Sequence, residues 1–138
     1  MVLLITDITT AINSAQFLTG IFLAILFLQS GLDKVFDWKG NLDWLTGHFA
    51  KSPLKNMVPL MLGVITLVEI GAGIFSAIGA GALLVNGSVL FLLRGAQLSV
   101  LAIVMLFFGQ RVAKDYVGAA ALVPYFILAI FAIWLTTL

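Results

Sequence analysis

Glu69 is the only formal charge between Lys55 and Arg94, and it sits inside the apolar run VPLMLGVITLVEIGAGIFSAIGAGALLV. A carboxyl group at bilayer depth costs several kilocalories, so it marks a functional site whose partner has to be found. Two kinds of chemistry are open to it. Ionised and paired with a cation, it pins helices together. Kept neutral by desolvation, it can donate a hydrogen bond to a carbonyl such as that of a quinone, or relay a proton. Arg94 and Gln97 are the candidate partners, three residues apart and therefore on one helix face.

The elements that must position these groups follow from the charge pattern. Ile8 to Leu32 is uncharged, and Asp33 to Lys55 holds seven of the thirteen formal charges. Asn56 to Ala113 carries only Glu69, Arg94 and Arg111, and Tyr116 to Leu138 is uncharged again. A hydrocarbon core of ~30 Å takes about 20 apolar residues per helix. Spans are therefore expected near 12–34, 57–84, 88–110 and 116–137, with Asn86-Gly87-Ser88 supplying a tight turn. The expected architecture is an all-α polytopic membrane protein, one integral membrane domain over 1–138 built as an up-down bundle of four transmembrane helices.

At 1.5 Å per residue, Glu69 lies about 18 Å into the second span, with Gln97 about 19–20 Å and Arg94 about 24 Å from the same end. A Glu69–Arg94 pair with Gln97 bonded to one member is the most economical arrangement. In the alternative, Arg94 snorkels outward to the near headgroups and leaves Glu69 neutral.

Composition narrows the function classes. The chain is 62% hydrophobic and 9% charged, against about a quarter charged in soluble domains, and its mean hydropathy is +1.19. Lipid must be its main solvent. A net charge of +1 gives no footprint for nucleic acid. With no cysteine, thiol–disulfide chemistry, iron–sulfur ligation and cysteine zinc sites are excluded. His48 alone cannot make a bis-histidine haem site, and no catalytic residue set or metal cluster is expected. MVLLITD lacks the basic start of a cleavable signal peptide.

Lys34, Lys39, Lys51, Lys55, Arg111 and Lys114 fall on the first and third connections, against Arg94 alone on the other side. The positive-inside rule then places both connections in the cytoplasm and both termini outside.

Within the first connection, Trp38, Leu42, Leu45 and Phe49 recur at spacings of four, three and four, one face of a helix expected over 41–51. Asn41 can cap its start, and Ser52-Pro53 discourages continuation. That face either anchors in the headgroup zone or closes the open end of the bundle. In the second span Gly73, Ala77 and Gly81 form a small-residue ridge, with Ala72, Ser76 and Ala80 beside it, and both suit close helix packing. Pro124 is expected to kink the fourth span, with Tyr125 turned inward. At the end of the first span, Lys34 can reach headgroups or a carboxylate such as Asp37.

FLAILFLQSGLDKVFD, with its Gly-x-x-Lys step, LVEIGAGIFSAIG, with a glutamate followed by glycines, and MLFFGQRVAKDYVGAA before the last span resemble the DoxX-like family of small four-helix membrane proteins. That resemblance implies a bacterial cytoplasmic-membrane protein and nominates Gly31, Lys34 and Glu69. The family takes its name from a subunit associated with a quinone-linked oxidase and thiosulfate oxidation.

Two functions follow as expectations. One is an accessory or scaffold subunit of a larger, redox-linked membrane complex, without catalysis of its own and packed against lipid and other membrane subunits. The other is a quinone- or small-molecule-linked redox component with Glu69 as intramembrane proton donor. A small transporter coupled through a midplane carboxyl is a third, weaker reading.

Overall fold

The computed structural model describes the backbone of residues 2–138 and the side chains of residues 9–138. Six helical segments follow one another: α1 (Val2–Phe36), α2 (Trp38–His48), α3 (Val58–Asn86), α4 (Leu90–Val112), α5 (Tyr116–Ala121) and α6 (Val123–Leu135). Four stretches are long and apolar enough to cross a membrane: Thr9–Phe36, Val58–Asn86, Leu90–Val112 and Tyr116–Leu135. The protein is a four-span membrane bundle.

The last span is α5 and α6 together, broken at Leu122. Pro124 stands in the first turn of α6, where it has no amide to offer the preceding turn. The Leu122 amide closes a tighter turn on the Ala119 carbonyl at 3.1 Å. Tyr125 points outward, 38% exposed, rather than into the bundle.

Lipid-facing and core residues separate by helix face. Leu23, Phe27, Leu62, Ile65, Ala72, Ala102, Ile103 and Ala129 are buried together at the centre, while Leu18, Ile25, Leu67, Leu84 and Ile127 are each more than 60% exposed. In water such an outer surface would be untenable; facing acyl chains it costs nothing.

Small residues set the spacing between α3 and α4. A side chain on Gly79 would run into the backbone of Leu92, and one on Gly95 into Ser76. The ridge in contact is thus Ala72, Ser76, Gly79 and Ala80, with Gly73 turned to Leu28 of α1. This corrects the expected Gly73–Ala77–Gly81 ridge: Ala77 is exposed, and Gly81 has open space around it. The two ridges are rotated by about one residue, 100° of helix, and only the partner decides between them.

Asp37, not Asn41, caps α2, accepting from the Gly40 amide at 3.3 Å. The Asn41 amide instead donates to the Asp37 carbonyl at 2.9 Å and to the Asp33 carboxylate at 3.4 Å, tying α2 to the end of α1. Leu42 and Leu45 pack on the bundle core, and the buried ring of Phe49 lies against Gly109 of α4. Leu42, Leu45 and Phe49 on the apolar face of α2 therefore close the bundle end. Trp38 and Trp44 remain more exposed.

Candidate functional site

Glu69 is 1% exposed, in the fourth turn of α3. Its partner is Lys34, whose Nζ lies 3.1 Å from Oε2. The same ammonium donates to Ser30 Oγ at 2.9 Å and to the Ser30 carbonyl at 3.3 Å. A lysine has three N–H donors, and these three acceptors engage all of them.

The approach is made possible by Gly31. A side chain there would collide with Ile70 of α3 and come within 3.5 Å of the Glu69 Cβ. Gly31, Lys34 and Glu69 thus converge on one point where α1 meets α3. Lys34 reaches Glu69 rather than headgroups or Asp37.

Arg94 does not join them. Its guanidinium donates to Gln97 Oε1 at 3.0 Å, and both side chains are exposed on the outer face of α4. Register and rotation both explain the correction. The Gly79–Leu92 and Gly95–Ser76 contacts place Glu69 level with Ala102, eight residues beyond Arg94, or about 12 Å along the axis. The face of α4 that meets α3 carries Leu92, Gly95, Ala96, Ser99 and Ala102, so Arg94 and Gln97 are turned away from it.

Beneath α2 a cavity of about 490 Å³ extends between α3 and α4. Its inner wall includes Leu62, Ile65, Met105 and Leu106, and Leu60, Val64 and Phe108 line it among the lipid-facing residues. Four polar side chains reach it: Lys34, Asn41, His48 and Gln110. A mostly apolar pocket of this size with a few placed polar groups is the usual form of a small-molecule site. Glu69 does not line it; the link between ion pair and cavity is Lys34.

His48 is held in place from three sides. Nε2 shares a hydrogen bond with the Gln110 side-chain amide, 2.7 Å from Oε1. The Asp115 carboxylate is 3.7 Å away. Trp44 stacks on the ring at 4.6 Å and Phe49 meets it edge-on at 5.2 Å. His48 is thus part of the cavity wall. Its only signal in the sequence is position: it falls four residues after Trp44 on α2, and Gln110 lies at the matching end of α4.

A second polar group escaped sequence reasoning altogether. Gln16 of α1 is buried and donates from Nε2 to the Leu135 carbonyl at 2.8 Å, fastening α1 to the end of α6. Nothing in the local pattern of α1 marks it, because its partner is a backbone atom more than a hundred residues away.

Fold and site together define a small four-span membrane protein with a half-buried lysine paired to a buried glutamate and a cavity roofed by an amphipathic helix. A family model described as DoxX matches residues 15–108, more than half of the 138-residue chain, and the chain belongs to the DoxX family. The match includes Gly31, Lys34 and Glu69; α5 and α6 lie beyond it. No curated protein and no solved structure matches the chain.

Proposed function

We propose that this protein is an accessory subunit of a larger bacterial cytoplasmic-membrane complex and holds a quinone-class lipophile in the cavity beneath α2, without transforming it. The observation carrying this reading is the cavity itself: about 490 Å³, walled mainly by hydrocarbon and reached by Lys34, Asn41, His48 and Gln110. A quinone presents an apolar ring with carbonyl acceptors, which calls for such walls and a few donors. The lipid-facing residues along the cavity suit a ligand that arrives from the bilayer.

Support for a non-catalytic role comes from the ion pair. The Lys34 donors are committed to Ser30 and Glu69, so lysine contributes a fixed positive field more than a mobile proton. Glu69 as proton donor to a ligand is the weaker reading, since it faces Lys34 and stands back from the cavity. The basic residues Lys39, Lys51, Lys55, Arg111 and Lys114 gather at the α2 end, which favours placing that end in the cytoplasm.

A test uses Trp44, which lines the cavity. With Trp38 and Trp134 changed to Phe, Trp44 is the sole tryptophan, and a short-chain quinone titrated into the detergent-solubilised protein should quench it saturably. A double change Met61→Phe and Met105→Phe, filling the cavity, should abolish saturation. Linear, collisional quenching that is the same in both proteins would reject the ligand; gentle purification without a stoichiometric larger subunit would reject the accessory role.

A further inference from the structure

Among the described side chains, Arg94 is the only charged group at the end of the bundle carrying the α3–α4 turn. It sits four residues after Leu90, where α4 begins, or about 6 Å along the helix. No carboxylate among the described residues lies within ion-pair distance of it. Gln97 holds the guanidinium through one nitrogen at 3.0 Å, which leaves its other N–H donors directed away from that bond. A cation so near hydrocarbon requires an anion or water to satisfy it.

The surface beside it has a particular form. Arg94 and Gln97 border an open groove of about 520 Å³ whose remaining walls are Phe75, Leu90, Phe91, Leu98 and Leu101. Phe75 and Phe91 stack at 6.1 Å, bridging α3 and α4 with an aromatic floor. One charged, oriented donor therefore stands at the edge of a long apolar trough. That is the complement of an amphiphile with an anionic head and a hydrocarbon tail.

We propose that Arg94, Gln97 and the adjoining groove form a binding site for one anionic phospholipid. Its phosphate oxygens accept from the Arg94 guanidinium, the planar fork of which suits phosphate better than an ammonium does. One acyl chain lies over Phe75, Phe91 and Leu98. The charge argument selects a lipid with net negative headgroup over a zwitterionic one, whose own cation would compete with Arg94. This site is independent of the cavity beneath α2, at the opposite end of the bundle.

The test needs a local readout, because the lysines at the other end also attract anionic lipid. Photoactivatable phosphatidylglycerol and phosphatidylcholine, each with the diazirine on an acyl chain, are reconstituted separately with the full chain. Crosslinks are then mapped by peptide mass spectrometry. The α4 peptide containing Leu98 and Leu101 should label about fivefold more with phosphatidylglycerol, the preference expected of one cation for a headgroup of net negative charge. Arg94→Gln should remove that preference and Arg94→Lys retain part of it, while Lys51→Gln, at the far end, leaves it unchanged. Equal labelling by the two lipids in the wild type, or a preference that survives Arg94→Gln, would overturn the proposal. Crosslinking of a photoreactive residue placed at Leu98 to a protein subunit instead of lipid would overturn it as well.

Discussion

Gly31 and Ile70 meet so closely that a single methyl group on the glycine would overlap the isoleucine side chain. That contact lets the Lys34 ammonium stand 3.1 Å from Glu69. One helical turn separates Gly31 from Lys34, so the close approach and the ion pair belong to the same stretch of α1. The buried acid is thus matched by a cation from the end of the first span.

The two members of this pair should respond unequally to substitution. Lys34→Met leaves an almost fully buried carboxylate without its counter-charge and should cost about 3–5 kcal/mol. Glu69→Gln leaves a lysine at a helix end that can swing to the headgroups, and should cost only about 1–2 kcal/mol. The double change Lys34→Met with Glu69→Met should recover most of the loss. Unfolding in mixed micelles measures all three; equal losses from the two single changes would contradict the burial asymmetry.

A paired glycine comparison tests the α3–α4 packing. Gly79→Ala forces the Leu92 backbone away and should lower stability by about 1–3 kcal/mol. Gly81→Ala meets open space and should be neutral or slightly stabilising, as alanine is the better helix former. If the two changes behave alike in thermal unfolding, the helices do not pack on the Ser76–Gly79 face.

Phe49 is the buried ring that holds the end of α2 against the bundle. Phe49→Ala should cost about 3 kcal/mol and open the segment after α2 to limited proteolysis. Trp44→Ala, removing a side chain 61% exposed, should cost far less. Protease cleavage near Lys51 that is no faster in Phe49→Ala than in the wild type would show that α2 is held by other means.

Lys114 links α4 to α5 with a left-handed backbone, φ 60°. A side chain in that conformation costs about 1–2 kcal/mol, so Lys114→Gly should raise the melting temperature. A lower Tm would mean that the ammonium makes a compensating contact.

Much of the architecture could be read from residue order, and the failures have a common cause. Spans are announced by charge-free stretches such as Tyr116–Leu138, and the break near Pro124 by proline's missing amide. Local pattern also revealed the apolar face of α2. It could not show what that face meets, because burial against Gly109 depends on where α4 ends. The Arg94 pairing failed for the same reason. Depth along two helices was counted from assumed ends, and a shift of a few residues, together with the unread rotation of α4, moved Arg94 to the outside. Lys34 lies 35 residues from Glu69, and no periodicity connects them. Helix faces are local information; which faces are shared is not.

The order in which the pair appears during synthesis has its own consequence. Lys34 emerges before Glu69, so the first span and its terminal ammonium are already made when the acid-bearing span must leave the insertion machinery. An isolated acidic side chain at a helix centre is resisted by about 2.5–3.5 kcal/mol in that step, and a waiting lysine reduces the opposition. Exchanging the two residues would preserve their attraction while reversing their sequence of arrival, presenting a lysine deep in the second span to an acid at the end of the first. The location of the cation therefore bears on biogenesis as well as on the finished bundle.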